Sequence, residues 1–263
     1  MNPANDLLLP EEEIFVALNR KGLGIKQNPK APCFSGDALL LADFGLKHLK
    51  TQNLPAPIIG DFGTGTGIIA LLCAFALPKA TVYALELMSQ MAALARRNVA
   101  LNNYEERIKV VEGDICQARA LWGPVFDSIF INPPYQKITA GRLSPNPLKA
   151  AARSEIYCTL ADVINAAAAC LKPGGSLYLC QRPHRLNEAL TLCEKVGLCP
   201  KECQKVRAYS YKLPQLFLLE AIKGRATAMA EAADLTIYAA PKIYTSAAKA
   251  ILEEPLRDSE GVK

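Results

Sequence analysis

Short, nearly continuous hydrophobic runs alternate with longer helical patterns along most of this chain. Apolar runs of about four to eight residues are typical of strands buried on both faces, as in a parallel sheet covered by helices. The runs predict seven strands, at residues 58–62, 81–86, 108–112, 125–131, 176–181, 205–210 and 216–222. Helices are predicted at residues 38–48, 68–77, 88–102, 154–171 and 185–196. This alternation predicts an α/β fold: a doubly wound, mostly parallel seven-stranded sheet with helices on both faces.

The same pattern divides the chain into three parts. Residues 1–50 form a lead-in that we expect to pack on the central domain, and residues 51–223 contain all of the predicted strands. Residues 224–263 form a C-terminal tail. Within that tail, residues 224–236 are rich in alanine and have little periodicity, so we expect a linker or a short helix there.

Length and composition fit one enzyme domain with short extensions. The chain has 263 residues, of which 51% are hydrophobic, which is enough for a sizeable core. Its longest apolar run, residues 68–77, is too short to cross a bilayer, and residues 1–13 lack the pattern of a secretory signal. We therefore expect a cytoplasmic monomer that has no membrane partner.

The cysteines indicate a reducing compartment rather than disulfides or metal. Nine cysteines occur, but no two of them form a C-x-x-C pair, and the chain has only two histidines. Zinc sites usually combine paired cysteines or histidines at short, regular spacing. We expect free thiols and no metal site.

Positive charge is concentrated in one part of the chain. The formal net charge is +5, but residues 131–225 alone contain fourteen basic and six acidic residues. A phosphodiester substrate would account for such an excess beside the ends of parallel strands, although an ordinary solvated surface is the alternative. The candidate substrate contacts are Lys137, Arg142, Arg153, Arg182 and Arg185.

Asn132-Pro133-Pro134-Tyr135 ends the predicted strand at residues 125–131. The asparagine offers a side-chain carbonyl, and the prolines stiffen the turn and leave backbone carbonyls as acceptors. The tyrosine supplies a flat ring for stacking. Together these groups suit a planar NH₂ group that is held by two acceptors under an aromatic ring. The alternative is an ordinary exit from a strand, with the prolines as turn residues.

A glycine-rich turn, residues 63–67, joins the predicted strand 58–62 to an apolar helix. A strand, a glycine-rich turn and a helix form the nucleotide-binding unit of doubly wound folds. The spacing here is G-x-G-x-G instead of the G-x-G-x-x-G of dinucleotide-binding enzymes, and Asp61 directly precedes the turn. An acid would repel a pyrophosphate but would attract a sulfonium or an amine. Both details favour S-adenosylmethionine over NAD.

Acidic residues also end the next two predicted strands. Glu86 ends the second strand, where ribose hydroxyls are bound in this architecture, although an acid before a helix can also simply favour the helix dipole. Asp114 follows the third strand and precedes Ile115; it could meet the adenine amine of a cofactor or be an ordinary turn residue. Phe34 could close the cofactor side of the site or belong to the core.

The motifs as a set resemble those of Rossmann-fold S-adenosylmethionine-dependent methyltransferases: residues 61–67, Glu86, Asp114 and residues 132–135. More narrowly, the chain is similar to the bacterial tRNA(Val) adenine N6-methyltransferase family. That similarity lies in residues 33–42, 93–102, 151–155 and 237–251.

The resemblance implies that S-adenosylmethionine is the cofactor and that the methyl acceptor is N6 of an adenine in tRNA, next to the anticodon of tRNA(Val). It implies a catalytic set of Asn132, Pro133, Pro134 and Tyr135. The expected cofactor contacts are Asp61, Gly63, Thr64, Gly65, Gly67, Glu86, Asp114, Ile115 and Phe34.

Three alternatives remain open from the sequence. The same tetrapeptide also occurs in methyltransferases that act on the glutamine amide of a release factor. Those enzymes resemble this chain in the core but have a larger helical N-terminal domain. A second alternative is another adenine, in RNA or DNA. The third is a non-catalytic RNA-binding module that keeps the fold, which the intact set of Asp61, Glu86 and Asn132 argues against.

Overall fold

Two short strands and a long helix precede the central sheet. The computed structural model describes residues 12–18, 22–135, 155, 157–224 and 228–253. Strand β1 (Ile14–Ala17) pairs antiparallel with β2 (Gly24–Gln27), and helix α1 (Gly36–Gln52) follows. Most of α1 is buried, because its apolar residues pack on the sheet and on the next helix. The lead-in therefore shares the core of the central domain.

Strands and helices then alternate as the sequence pattern predicts. The elements are β3 (Ile58–Phe62), α2 (Ile68–Ala76), β4 (Thr81–Glu86), α3 (Ser89–Leu101), β5 (Ile108–Glu112), α4 (Ala118–Trp122), β6 (Phe126–Ile131), α5 (Leu160–Cys170), β7 (Leu171–Gln181), α6 (Leu186–Lys195), β8 (Leu198–Arg207) and β9 (Leu216–Lys223). Each of the seven predicted strands is present, with changes at some ends.

The sheet is mixed but mostly parallel. Its strand order is β10-β8-β9-β7-β6-β3-β4-β5, with β11 also on β8, and β9 runs antiparallel between β7 and β8. Helices α1 and α2 cover one face, and α5 and α6 cover the other. The prediction of a doubly wound α/β fold is confirmed. The sheet has nine strands rather than seven because two short tail strands join its edge.

Those two strands correct the prediction for residues 224–236. Strands β10 (Ala230–Glu231) and β11 (Leu235–Thr236) pair in parallel with β8, where a linker or a short helix was expected. The edge of β8 supplies unpaired backbone groups, and two-residue strands are too short to show a periodic pattern. The tail ends with β12 (Tyr238–Ala240), β13 (Ile243–Tyr244) and α7 (Ser246–Leu252).

Several predicted boundaries are also wrong, including the starts of α5 and β8. Helix α5 begins at Leu160 and not at residue 154, because Thr159 and Asp162 form a capping box that fixes its start. Strand β8 begins at Leu198 instead of residue 205. Most of its first residues are half-buried, and Lys201 and Glu202 interrupt them, so they lack the continuous apolar run of a central strand.

Three further observations on the described residues concern cysteines, metal-binding side chains and membrane-spanning helices. All nine cysteines are free thiols, and five of them are buried. No group of three metal-binding side chains comes together among the residues that the structure describes. None of the helices in the described ranges is long and apolar enough to cross a membrane.

Candidate active site

A cavity of about 970 Å³ opens at the carboxyl ends of β3, β4 and β6. The sheet register explains why the motifs converge there. Phe62, the last residue of β3, pairs with Leu85 of β4 and with Ile131 of β6. The glycine turn, Glu86 and the Asn-Pro-Pro-Tyr segment each follow one of these paired residues. The predicted site residues in the cavity wall are Phe34, Gly63, Thr64, Gly65, Glu86, Ile115, Asn132, Pro133, Pro134, Tyr135 and Arg182.

The glycine turn needs a backbone that only glycine adopts readily. Gly63, Gly65 and Gly67 have φ angles of 78°, 58° and 85°, in the left-handed region. Backbone N–H groups of Gly63 and Thr64 donate to the carbonyl oxygen of Leu85 at 2.8 and 3.0 Å, which ties the turn to β4. A Cβ added at Gly65 would have no atom within 4 Å, so bare backbone faces open space there.

Asp61 lies beneath this turn and not in the cavity wall. Its side chain is 1% exposed, and Oδ2 accepts hydrogen bonds from Thr64 Oγ1 at 2.5 Å and from the Ala70 N–H at 3.1 Å. Burial raises the pKa of this carboxyl from 3.8 to about 7. The carboxyl therefore shapes the turn and the start of α2. Direct contact with the charged end of a ligand stays a prediction.

Glu86 lies in the cavity wall and binds backbone groups of the glycine turn and of the segment after β4. Its Oε2 accepts from the N–H of Gly65 at 2.9 Å, and Oε1 accepts from the N–H of Met88 at 2.9 Å. Each carboxylate oxygen has a further lone pair for a hydroxyl donor. Burial raises the pKa of Glu86, and the two N–H groups partly oppose that rise by stabilising the anion. The residue is suited to bind a pair of ribose hydroxyls.

The hydroxyl of Tyr135 links the tetrapeptide to helix α1. Its oxygen lies 2.8 Å from Asn132 Oδ1 and 2.8 Å from Asp37 Oδ2. A phenol has one proton to donate, so these two acceptors compete for it. Cys180 Sγ is a third neighbour, at 3.5 Å. Burial and the neighbouring Cys180 and Asp37 raise the pKa of Tyr135 above its usual value, which keeps the hydroxyl protonated.

Arg182 covers the ring of Tyr135, which was predicted to stack on a substrate base. The guanidinium carbon lies 4.5 Å from the ring centroid, in a cation–π contact, and Nη1 donates to the carbonyl oxygen of Gln215 at 3.1 Å. Gln181 Nε2 also donates to the carbonyl oxygen of Pro134 at 3.3 Å. The turn is thus held from β7, and a base that stacked on this ring face would have to displace Arg182.

The remaining predicted cofactor residues differ in their positions. Phe34 both lines the cavity and packs on the core, so its two interpretations are compatible. Ile115 lines the cavity, whereas Asp114 and Gly67 lie outside its wall. Asp114 Oδ1 instead accepts from the N–H of Cys116 at 2.8 Å and begins a short 3₁₀ turn. A contact between Asp114 and an adenine amine stays a prediction.

The predicted substrate contacts are only partly brought to the cavity. Arg182 lies in its wall. Arg185 is 1% exposed: Nη1 contacts Glu155 Oε1 at 2.5 Å and Nη2 contacts Glu188 Oε1 at 2.8 Å. Arg185 is therefore buried and paired with two carboxylates, and the prediction that it contacts substrate at the ends of the strands is not supported by this position. Lys137, Arg142 and Arg153 lie outside the described residues.

Sequence reasoning missed Asp37 as a member of the site. Asp37 lies in the first turn of α1, and its side chain contacts the Tyr135 hydroxyl. The signal was weak because the contact joins residues 98 positions apart. Gln181 and Cys180 were missed for the same reason.

The sequence matches the family described as "Methyltransferase small domain" over residues 34–210. The chain belongs to this family. The match extends from Phe34, before the glycine turn, through the Asn-Pro-Pro-Tyr segment to the end of β8. The matched region thus contains the glycine turn and the Asn-Pro-Pro-Tyr segment, which line the cavity.

Two kinds of methyltransferase are similar to this chain in sequence. A tRNA1(Val) (adenine(37)-N6)-methyltransferase from Porphyromonas gingivalis is 32% identical over 163 residues, which cover 61% of this chain and 63% of the relative. A release factor glutamine methyltransferase from Deinococcus radiodurans is 37% identical over 144 residues, which cover 51% of this chain and 50% of the relative. The chain thus spans less than two thirds of the length of either protein. The expected resemblance to the tRNA(Val) adenine methyltransferases is confirmed.

A solved structure supports the fold. A protein from Agrobacterium tumefaciens, described as a "predicted O-methyltransferase", superposes with a TM-score of 0.64 at 25% identity, covering 83% of this chain and 97% of that chain. Doubly wound nucleotide-binding folds place a glycine-rich turn after the first strand and an acid about 20 residues further on, as this chain does. S-adenosylmethionine is the methyl donor that the sequence motifs predict.

The cavity fits that cofactor on its own features. Bare backbone at Gly65 leaves room for close approach of a ligand, and Glu86 supplies two acceptor oxygens beside it. The volume of about 970 Å³ is at the upper end of the usual range for ligand sites, which leaves space for part of a second substrate. The acceptor groups of the Asn-Pro-Pro-Tyr segment lie in the same wall.

Proposed function

We propose that this protein transfers a methyl group from S-adenosylmethionine to N6 of an adenine in tRNA, the adenine next to the anticodon of tRNA(Val). One observation carries the proposal: the Asn-Pro-Pro-Tyr segment lines the same cavity as the glycine turn and Glu86. A methyl-donor pocket and a set of acceptors for a planar amine are thus adjacent.

The chain's own residues would hold the cofactor through backbone and carboxylate groups. Glu86 would accept from the ribose hydroxyls, and the turn at residues 63–65 would lie against the cofactor with its bare backbone. Asp61 would keep that turn in shape from below. When bound, S-adenosylmethionine supplies a methyl group that is electrophilic because it is attached to a sulfonium.

Asn132 and Pro133 would prepare the acceptor nitrogen. The lone pair of an exocyclic adenine amine is delocalised into the ring, which makes the amine a poor nucleophile. The Asn132 Oδ1 atom and the Pro133 carbonyl would accept its two hydrogens, which draws the nitrogen towards a tetrahedral shape and aims its lone pair. Positioning and fixed dipoles would provide most of the rate gain. The amine would attack the methyl carbon as its bond to sulfur breaks, and no strong base is needed beforehand because the resulting ammonium is acidic and loses its proton to water.

The Tyr135 hydroxyl must release Asn132 for this to happen. In the structure Asn132 Oδ1 lies within hydrogen-bond distance of that hydroxyl, at 2.8 Å. Asp37 gives the hydroxyl a second acceptor at the same distance, and an ionised carboxylate is the stronger acceptor of the two. On entry of the substrate amine, the Tyr135 O–H would keep its proton but donate it in a hydrogen bond to Asp37, which leaves Asn132 Oδ1 for the amine.

Support for an RNA acceptor comes from charge and from relatives. Residues 131–225 contain fourteen basic and six acidic residues, and this stretch begins at the end of β6. Several curated relatives that carry the tRNA1(Val) name match at 30–32% identity. An adenine in a folded RNA would have to be splayed out of its loop to reach the cavity.

A glutamine amide of a release factor is the second candidate. The Deinococcus radiodurans relative favours it, at 37% identity over half of this chain. An amide NH₂ is also planar, so the same two acceptors would hold it. The acceptor chemistry alone therefore does not separate the two substrates.

A partition experiment tests the proposal. The purified protein is incubated with S-adenosylmethionine labelled in its methyl group and, separately, with total tRNA, ribosomal RNA, DNA or a purified release factor. We expect label in tRNA and, after digestion, in N6-methyladenosine. Label in the release factor with none in tRNA would contradict the proposal and support the glutamine amide.

A further inference from the structure

A row of stacked tyrosine rings joins the β8–β9 loop to the C-terminal tail. Tyr211 stacks on Tyr209 with centroids 5.5 Å apart and planes at 19°, and Tyr209 faces Tyr238 at 5.5 Å. Tyr238 in turn stacks on Tyr244 at 5.2 Å and 16°. We call these four residues the tyrosine row. No residue of the row lines the cavity described above.

The tyrosine row lies on the same rim of the sheet as the cavity. Strand β9 is antiparallel to β7, and Phe217 near its start pairs with Gln181 at the end of β7. The loop before β9 therefore lies at the carboxyl ends of the parallel strands. Arg182 connects the cavity to this loop, since its guanidinium covers the Tyr135 ring and donates to the Gln215 carbonyl in the loop.

The separation suits a nucleic-acid strand. Strands β7 and β9 lie between β6, which ends at the acceptor motif, and β8, which ends at the row. Three strand spacings amount to roughly 14 Å. Stacked nucleotides rise about 3.4 Å each, so the row lies about four nucleotides from a base in the cavity.

Anchoring of the tail explains the inner tyrosines but not the outer one. The N–H of Tyr238 donates to the Ala208 carbonyl at 2.8 Å, and the N–H of Ile237 donates to the Arg207 carbonyl at 2.9 Å. These bonds fix the tail without Tyr211, which is 76% exposed at the free end of the row. A large aromatic ring that is ordered by stacking yet mostly exposed is available to a partner.

The charged groups beside the row fit a polyanion. Lys212 Nζ lies 5.5 Å from the centroid of the Tyr211 ring, and Lys242 is exposed in the turn between β12 and β13. Arg207 is paired with Asp234 and donates to the carbonyls of Ser210 and Lys212, so it holds the loop in shape instead of adding free charge. Flat aromatic faces beside lysines are the features that bind single-stranded nucleic acid by stacking and phosphate contact.

We propose that the tyrosine row is a stacking platform for unpaired nucleotides of the RNA substrate, a few positions from the base in the cavity. This inference rests on the proposed function and deepens it, because it assigns the β8–β9 loop and the tail to substrate binding. Tyr211 offers the terminal stacking face, and the Lys212 ammonium, which lies over this ring in the structure, moves to the adjoining phosphate when a base stacks.

Matched variants test the platform without touching the catalytic machinery. Tyr211→Ala removes the terminal ring, Tyr211→Phe keeps the ring, and Leu213→Ala truncates a side chain that is 84% exposed in the same loop. Binding of a fluorescently labelled tRNA(Val) transcript is measured by polarisation. We expect about tenfold weaker binding for Tyr211→Ala only, as alanine substitutions at base-stacking aromatics commonly give.

A spectroscopic readout separates stacking from a structural role. 2-Aminopurine is placed in the transcript about four nucleotides from the target adenine, on either side in turn. We expect its fluorescence to be quenched on binding to the wild-type protein and to Tyr211→Phe, and to be restored with Tyr211→Ala. S-adenosylhomocysteine affinity and the thermal midpoint should be the same in all four proteins.

The outcomes also separate this inference from the proposed function. If the wild-type protein binds and methylates tRNA while Tyr211→Ala does so equally well, the platform is overturned and the proposed function stands. Equal losses in Tyr211→Phe and Tyr211→Ala would overturn stacking as well. If tRNA is neither bound nor methylated and Tyr211→Ala impairs methylation of a release factor, the row is a protein-binding surface, and both proposals fail.

Discussion

At the scale of single residues, the availability of Asn132 depends on which of two acceptors the Tyr135 O–H donates to. The Tyr135 hydroxyl lies 2.8 Å from both Asn132 Oδ1 and Asp37 Oδ2, and Asp37 is the acceptor that leaves Asn132 available to substrate. In the proposed mechanism Asp37 is a positioning residue, since it would act on the acceptor nitrogen through Tyr135.

The variant Asp37→Asn should lower kcat about tenfold and leave cofactor affinity unchanged. A neutral amide is a weaker acceptor than a carboxylate, so the hydroxyl would stay on Asn132 and compete with the substrate amine. Steady-state kinetics with tRNA and calorimetry with S-adenosylhomocysteine provide the two measurements. In a Tyr135→Phe background the competing hydroxyl is gone, so Asp37→Asn should add no further loss; independent, additive losses would contradict the coupling.

Asp61 gives a pH dependence of stability with a defined sign. Its pKa rises from 3.8 to about 7 on folding because the carboxyl is buried. Between those values the folded state binds more protons than the unfolded state, so the free energy of unfolding falls as pH rises. The loss from this group is up to about 4 kcal/mol between pH 4 and pH 7.

Urea unfolding of the cofactor-free protein across that pH range measures the effect. Asp61→Asn keeps a side-chain oxygen for Thr64 and the Ala70 N–H but does not ionise, so its stability should fall less steeply with pH. Glu86 also has a raised pKa and leaves part of the slope in place. An identical slope in the wild-type protein and the variant would show that Asp61 does not carry it.

At the scale of elements, the antiparallel edge of the sheet is joined by a buried carboxylate on β9. Glu220 is 0% exposed, and its Oε1 accepts from Ser176 Oγ at 3.1 Å and Tyr178 Oη at 3.2 Å. Its Oε2 lies 3.1 Å from Lys201 Nζ and 3.5 Å from His48 Nε2. One residue thus connects β7, β8 and α1.

Replacing Glu220 with alanine should destabilise the fold by about 3 kcal/mol, because its partners lose the group that satisfies them. Chemical denaturation with a two-state fit gives the value. Glu202→Ala is the matched control: Glu202 also contacts His48, at 3.3 Å, but 29% of its side chain is exposed, so a change below about 1 kcal/mol is expected. Similar losses in both variants would contradict a special role for the buried carboxylate.

Elements differed in how well the sequence predicts them. Central strands such as β3 and β6 were predicted within one residue, since burial on both faces requires a continuous apolar run. Strand β8 and the two-residue strands β10 and β11 were missed in part, because edge pairing depends on what lies beside them and leaves no pattern of its own. The motifs that face the cavity were predictable from chemistry, whereas Asp37 and Arg185 depended on contacts between distant residues.

At the scale of the whole molecule, one rim of the sheet holds the glycine turn, the Asn-Pro-Pro-Tyr segment and the tyrosine row. The parallel strands bring the first two together, and the antiparallel strand β9 returns the chain so that the loop at residues 208–215 lies on the same rim. The sequence predicted the first convergence from the order of strands. The second was not predictable, because it needs the position of the tail beside β8.

The central claim is methyl transfer to an adenine nitrogen held by Asn132. It is tested most directly by incubating the wild-type protein and Asn132→Ala with S-adenosylmethionine and a tRNA(Val) transcript, followed by mass spectrometry of the digested RNA. We predict N6-methyladenosine at the adenine next to the anticodon with the wild-type protein. Asn132→Ala should yield at least about a hundredfold less, with unchanged affinity for S-adenosylhomocysteine. Equal yields from the two proteins, or a methylated base other than that adenine, would contradict this claim.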